Sequence, residues 1–362
     1  MEGPRAPEIH EWTRVVEFLN THLRPGQGWS IADEYPTALT SSNRINSRVI
    51  FDGDQIISHA IVRPIIVKNP IGVFKVAGIG SVVTSDQYRK QGLSTQILES
   101  CLQAARDSNC DLAILWTDLF DFYRRIGFEL AGTEVSFEID RDLTTNTQLR
   151  FVEGPKVDPA AVLRLYAQHS VTSHRSVDDI RESLAIPNSR VTTAWDSMGR
   201  MVAYAVEGKG ADLNGYIHEW GGSLPNLLAL FTHMRVAQKR TLRLITPAHA
   251  LNLIAKLTEL GLQAHRGHLG MMKLLKPDSF FSKVQRHARS LGIGDLVLEK
   301  KDGKFYFGRG LHVYSTDSEA DILRLLFGPT RPSELHAFDH TTAETFDRLL
   351  PLPMWIWGWD SI

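Results

Sequence analysis

The chain has 362 residues, and this length predicts two or three domains. Hydrophobic residues make up 43% of it and charged residues 22%, as in ordinary globular proteins. The formal net charge of -1 favours neither nucleic acid nor an acidic membrane surface as a partner. No stretch approaches the roughly 18 apolar residues that cross a membrane, and two cysteines are too few for a disulfide framework or a zinc site. We therefore expect a cytoplasmic protein that binds no metal.

The first segment combines a helix with a series of strands. Apolar residues at helical spacing predict a helix from Ile9 to Leu23, which Pro25-Gly26 ends. The polar, proline-broken segment Asp33–Pro36 predicts a loop. Four strands follow, at residues 48–51, 55–62, 65–67 and 73–84. The first two are joined at Asp52-Gly53, which is a strong hairpin signal.

A basic turn joins the last of these strands to a helix. Residues 73–84 are rich in Val, Ile and Gly, and apolar residues from Leu93 to Ala105 recur at helical spacing. The start of a helix offers unpaired N–H groups and a positive dipole end, which suit a phosphate. Gly92 lets the backbone approach a ligand, and Arg89 and Lys90 add positive charge. The turn is therefore predicted to bind a pyrophosphate.

A second motif follows at a suitable distance. Residues 111–117 predict a strand, and Phe120-Asp121-Phe122-Tyr123 then leads to Gly127-Phe128 and a further strand at residues 133–139. Together, Arg89-x-x-Gly92-x-Ser94 and aromatic-Tyr-x-x-x-Gly-Phe resemble the two signatures of the GNAT acetyltransferase superfamily. Ser94 departs from the usual Gly or Ala, but it is small.

The resemblance implies an enzyme, an N-acetyltransferase that uses acetyl-CoA as co-substrate. It transfers the acetyl group directly to a primary amine of a small molecule or peptide, with Tyr123 as the general acid. The implied coenzyme-binding residues are Val82, Val83, Thr84, Arg89, Lys90, Gln91, Gly92, Leu93 and Ser94. For the general base, Glu34, Asp118 and several histidines stay open.

A second segment begins after a change of composition, and we place the boundary near residue 150. From 151 to 276 the predicted elements repeat the order of the first segment: two helices, a strand series, helix, strand, helix, strand. The corresponding turn, Trp220 to Pro225, has no Arg or Lys, and Pro225 lacks an N–H. No tyrosine precedes the turn at Gly261. We expect a degenerate GNAT-like domain that does not bind coenzyme A.

The third segment, 277–362, predicts a helix, a hairpin at Asp302-Gly303 and two further helices. Its end carries Trp355, Trp357 and Trp359, which predict a buried tail. Three such segments resemble the tandem-GNAT acetyltransferases of the enhanced-intracellular-survival type, in which a sterol-carrier-like domain closes the chain. The implied fold class is α/β (α+β): two GNAT folds, each a mixed, mostly antiparallel sheet with flanking helices, and a small α+β domain.

In that family the C-terminal carboxylate enters the active site, which makes Ile362 a catalytic candidate here. Two alternatives stay open for the tail: Asp360 supplies the carboxylate, or the tryptophans only anchor the tail. Two alternatives stay open for the function: another acyl or aminoacyl transferase, or an acyl-CoA-binding regulatory protein without turnover. Assembly of several copies is compatible with the sequence, and no nucleic acid or membrane is expected as a partner.

Overall fold

The computed structural model describes residues 1–144 and 148–362. In the first part of the chain the elements are β1 (Glu2–Arg5), α1 (Trp12–Leu23), α2 (Ile31–Glu34), β2 (Ser47–Asp52), β3 (Gln55–Asn69), β4 (Gly72–Thr84), α3 (Leu93–Asp107), β5 (Leu112–Leu115), α4 (Phe120–Arg124), β6 (Glu129–Ala131) and β7 (Glu134–Ile139). This order confirms the predicted strand, turn, helix, strand and short tyrosine-bearing helix.

The middle part of the chain repeats that order. Its elements are β8 (Arg150–Glu153), α5 (Pro159–Tyr166), β9 (Thr172–Ser173), α6 (Val177–Leu184), β10 (Arg190–Trp195), β11 (Met201–Lys209), β12 (Asp212–Gly222), α7 (Leu224–Gln238), β13 (Leu242–Pro247), α8 (Leu251–Glu259), β14 (Ala264–Gly267) and β15 (Gly270–Leu274). The last part contains α9 (Pro277–Ser290), β16 (Val297–Lys301), β17 (Lys304–Arg309), β18 (His312–Thr316), α10 (Glu319–Phe327) and α11 (His340–Asp347).

Two large sheets exchange a strand. The first sheet has the order β1-β2-β3-β4-β5-β15-β6, with β9 attached to β3, and the second has the order β14-β7-β13-β12-β11-β10-β8. The pairs β4–β5 and β12–β13 are parallel, whereas the other pairs are antiparallel. This confirms mixed, mostly antiparallel sheets with flanking helices. The first sheet includes β9 and β15 from beyond residue 150, and the second includes β7 from before it. The boundary placed near residue 150 stays a prediction.

The helix that follows the basic turn packs on the first sheet. Its buried face carries Leu93, Ile97, Leu98 and Cys101, which join one apolar core with β2 to β5. Cys101 and Cys110 are both buried and free, and burial raises the pKa of the Cys101 thiol to about 12. Cys101 is therefore an inert packing residue, as its position on the apolar face predicts.

Two local predictions were wrong. The strands predicted at 55–62 and 65–67 are one strand, β3, because β4 pairs with it on both sides of Pro64, which stays in register opposite Ala77. The segment predicted as a loop begins with the helix α2, where Ser30 caps the N-terminus and Asp33 completes a capping box. The pattern Ser30-x-x-Asp33 was the signal that sequence reasoning missed.

The last part of the chain forms a three-stranded sheet, β16-β17-β18, with the predicted hairpin at Asp302-Gly303. Its likeness to a sterol-carrier domain stays a prediction. The tail then returns to the junction of the two large sheets, where Trp355, Trp357 and Trp359 are buried as predicted. Among the described residues, every helix is too short or too polar to cross a bilayer.

Candidate active site

A cavity of about 670 Å³ lies where the first sheet, the second sheet and the tail meet. The ends of β4 and β5 line it on one side, and the turn between β11 and β12 lines it on the other. The tail closes it with Trp355, Ser361 and Ile362. The cavity thus lies between the ends of β4 and β5 in the first sheet and the β11–β12 turn of the second sheet.

A β-bulge interrupts the pairing of β3 with β4 near the end of β4. The register shifts between His59 and Ile61, and Ser81 on β4 adopts a left-handed φ of 49°. Burial lowers the pKa of His59 to about 4, so its ring is neutral. Nδ1 then donates to the Ser81 carbonyl at 2.8 Å, and Nε2 accepts from the Ser47 hydroxyl at 2.7 Å. The bulge is fixed by a buried ring, and it turns Ser81 and Val82 to the cavity.

The basic turn leads from this strand end into α3. Gly92 is the N-cap with φ 79°, and a Cβ placed on it would meet nothing within 4 Å. Lys90 has a left-handed φ of 64° and is exposed. The turn is therefore an open cradle of backbone N–H groups at a helix start, which fits a pyrophosphate.

The predicted coenzyme-binding residues lie around this cradle, but only some of their side chains are exposed to a ligand. Val83 and Leu93 are buried, so their side chains belong to the core. The Ser94 hydroxyl lies 2.9 Å from that of Thr84. The Arg89 guanidinium is exposed and pairs with Asp86 at 2.7 Å. Such an exposed pair contributes little to stability and leaves the arginine able to turn to a ligand.

Tyr123 on α4 reaches the cavity from the other strand end. Phe122 and Phe128 pack edge-on against its ring. Burial raises the pKa of the Tyr123 phenol to about 12, and its hydroxyl has no hydrogen-bond partner in the described part of the chain. It is a protonated donor at neutral pH with a free hydroxyl.

The C-terminal residue lies in the same cavity. A Cβ placed on Gly80 would fall 2.8 Å from the carboxyl carbon of Ile362 and 2.5 Å from its Cγ1. The terminus therefore lies directly against β4, beside the bulge. The structure brings Tyr123, Ile362 and Val82 to one cavity.

The family model for the acetyltransferase (GNAT) domain matches residues 8–131. This part of the chain is a GNAT acetyltransferase domain. Comparison with curated protein sequences gives no match. The acyltransferase class predicted from the sequence agrees with the family.

Solved structures share the fold over the whole chain. Eis1 from Mycobacterium abscessus superimposes with a TM-score of 0.63 over 99% of each chain, at 14% identity. A GCN5-related N-acetyltransferase from Kribbella flavida gives 0.62 over 99% of this chain and 97% of that one, at 15% identity. A probable N-acyltransferase from Enterococcus faecalis V583 gives 0.64 over 97% and 96%, at 14% identity. At this identity the likeness shows the fold, and it includes both large sheets.

The tail is tied to the GNAT domain and to the second half by buried charges. Asp360 accepts from Arg63 at 3.0 Å and from Arg175 at 2.6 Å. Burial would raise the pKa of Asp360, but attraction to these two arginines outweighs it and lowers the pKa to about 2. Lys209 donates to the carbonyls of Gly358, at 3.0 Å, and Ser361. The carboxylate of Asp360 is thus fully occupied, which argues against it as the reactive one.

The residues predicted as possible general bases differ in whether they line the cavity. Glu34 is buried and accepts from Arg24 at 2.7 Å and from Trp29 at 2.5 Å, so it does not line the cavity. Asp118 does line it, together with Asp212 and Glu134, whereas no histidine does so among the described residues. Glu134 was missed because the sequence shows only that it lies near the start of a predicted strand, and not that this strand, β7, pairs with β13.

Among the described residues, the second half has no comparable cradle. A smaller cavity, of about 460 Å³, lies between the ends of β12 and β13 and the start of α7, and none of the described residues that line it is Asp, Glu, Lys or Arg. Pro225 occupies the first turn of α7. Arg200, which lies near Ser223, is paired with Asp196 at 2.8 Å. This cavity therefore lacks the positive charge that a pyrophosphate needs.

Proposed function

We propose that the protein is an acetyl-CoA-dependent N-acetyltransferase that acts on a primary amine of a small molecule or peptide. One observation carries the proposal. The bulged end of β4, the end of β5 and Tyr123 line one cavity that the chain's own terminus closes. The open turn at Gly92 follows the end of β4 closely along the chain, which gives the coenzyme a path from the turn, along the two strand ends, into the cavity.

The coenzyme would enter along this path with its pyrophosphate on the turn. Backbone N–H groups from Lys90 to Ser94, with the side chains of Arg89 and Lys90, would hold the phosphates. The strand end from Val82 to Thr84 would hold the pantetheine chain. An N–H group of the bulge would then polarise the acetyl carbonyl, which is an oxyanion-hole role.

Transfer requires one acid and one place for the amine. The amine nitrogen attacks the thioester carbon, the carbon–sulfur bond breaks, and the thiolate takes a proton from Tyr123. The phenolate then recovers a proton from the nitrogen of the new amide. The terminal carboxylate of Ile362 would attract the acceptor's ammonium group and hold it beside the thioester.

A thiol-release assay on a panel of amines tests the proposal. The purified protein is mixed with acetyl-CoA and each amine in turn, and free thiol and acetylated product are quantified together. The expected result is equal amounts of thiol and N-acetyl product with at least one amine. Calorimetry supplies the control, with one acetyl-CoA site per chain. Binding without release of thiol for any amine would instead favour an acyl-CoA-binding regulatory protein.

A further inference from the structure

Glu134 is an acidic residue inside the cavity without a partner of its own. It begins β7, opposite Pro247 of β13 and Gly267 of β14. Ile245 and Leu269 line the same cavity. Its carboxyl takes part in no ion pair or hydrogen bond within residues 1–144 and 148–362. A carboxyl in apolar surroundings prefers to be neutral, and burial raises the pKa of Glu134 to about 7.

Titratable and charged groups from several helices, strands and turns could shift the pKa of the Glu134 carboxyl. Those that share its cavity or its neighbouring strands are Arg24, Tyr35, Asp118, Tyr123, Asp212, His265, Arg266, His268 and the terminal carboxylate of Ile362. Arg24 and Tyr35 are engaged with Asp212. Burial alone accounts for the raised pKa, with no contribution from a charged neighbour.

We propose that Glu134 is the proton acceptor that converts the acceptor's ammonium group into the free amine. This assignment rests on the proposed function. An ammonium ion brought into the cavity meets the carboxyl groups of Glu134 and Asp118 and the terminal one of Ile362, whereas Asp212 is already engaged by Arg24 and Tyr35. An efficient general base has a pKa near the working pH, because it must be ionised and still basic. Glu134 meets that condition at neutral pH.

The step balances simply. The carboxylate of Glu134 takes one proton from the ammonium group and becomes a neutral acid, and the nitrogen lone pair is released for attack. After transfer, this proton leaves to solvent and restores the carboxylate. The second nitrogen proton returns to Tyr123 as the tetrahedral intermediate collapses. One proton is released overall for each acetyl group transferred.

The pH profile of kcat/KM tests the assignment. In the wild type, kcat/KM should fall below pH 7, where Glu134 is protonated, and should flatten above it. In Glu134→Gln the break near pH 7 should vanish, and log kcat/KM should rise with unit slope toward the pKa of the amine itself. At pH 7 the loss should be about 10²- to 10⁴-fold. It should shrink as the pH rises.

Two controls separate Glu134 from the other carboxyl groups. Asp118→Asn removes another carboxyl of the cavity, and two residues appended after Ile362 move the terminal carboxylate. Both variants should keep the break near pH 7, even if their plateau is lower. If either one loses the break while Glu134→Gln keeps it, the proton acceptor is that other group and the assignment is wrong.

Thermal unfolding adds a readout that does not depend on turnover. The pKa of Glu134 in the folded state lies above its usual value of 4.5. Its contribution to the free energy of unfolding is therefore favourable below pH 4.5 and is lost as the pH rises through 7. Glu134→Gln should therefore raise Tm at pH 8 and leave it unchanged near pH 4. An equal Tm difference at both pH values would contradict the desolvated carboxyl and overturn the assignment.

The outcomes also separate this assignment from the proposed function. A wild type that acetylates no amine refutes the proposed function, and this role with it, even if the pH-dependent Tm difference is found. A wild type that acetylates amines, with the pH break unchanged in Glu134→Gln, leaves the proposed function standing and refutes this role alone.

Discussion

Gly80 is the position at which the contact of the terminus with β4 can be tested directly. A Cβ on Gly80 would lie 2.5 Å from Cγ1 and 2.8 Å from the carboxyl carbon of Ile362. Ordinary carbon contacts begin near 3.4 Å, so in Gly80→Ala the terminus must move by about 1 Å. The tail as a whole should stay bound, because the ion pairs of Asp360 lie elsewhere.

Gly78 offers a matched control on the same face of the same strand. There the nearest atoms to an added Cβ are Ile65 Cδ1 at 3.3 Å, the Arg63 carbonyl oxygen at 3.5 Å and Ile362 Cδ1 at 3.9 Å, so an alanine almost fits. Overpacking of the kind expected at Gly80 costs about 1–3 kcal/mol. Misplacing a reactive group by about 1 Å can lower turnover by up to about 10²-fold.

The assay compares kcat, KM for the amine, acetyl-CoA affinity and Tm of both variants with the wild type. Gly80→Ala should lose turnover or amine affinity by 10-fold or more while acetyl-CoA affinity holds, and Gly78→Ala should behave as the wild type. Equal turnover of the two alanine variants would refute the view that the terminus takes part in the reaction.

Three further changes have defined outcomes. Tyr123→Phe should lower kcat by about 10²- to 10⁴-fold with little change in acetyl-CoA affinity, and near-normal turnover would make Tyr123 a packing residue only. Gly92→Trp places a large side chain in the open cradle, so the one acetyl-CoA site seen by calorimetry should be lost; unchanged binding would contradict the position of the pyrophosphate. Asp360→Asn should destabilise the protein by about 3–5 kcal/mol at pH 7, because the buried Arg175 and the partly buried Arg63 both lose a partner. Its pKa is lowered to about 2, so this stabilisation is present above pH 3.8 and is lost as pH falls through 2; a Tm difference that does not shrink in acid would count against the ion pairs.

Sequence patterns predicted the features that depend on interactions between residues close together in the chain. Residues 73–105 specify strand, turn and helix through composition and spacing alone, and the position of Tyr123 follows from a motif of a few residues. Sequence spacing also showed the repeat of element order in the second half.

Features that depend on distant partners were not predictable. The bulge at Ser81 depends on a ring from another strand, His59, which gives no signal in the sequence of β4. Glu134 looked like an ordinary charged residue at the start of a strand. Its place in the cavity follows from the pairing of β7 with β13, more than one hundred residues later. The same holds for β15, which enters the first sheet.

The exchange of β7 and β15 makes each large sheet the donor of a strand to the other. A fragment that ends before residue 270 would leave β5 with an open edge of unpaired N–H and C=O groups, which invites aggregation. A chain cleaved near residue 150 would still be held together by both exchanged strands. We therefore expect the first sheet to be incomplete in any fragment that ends before residue 270, and to be completed only after β15 has been synthesised.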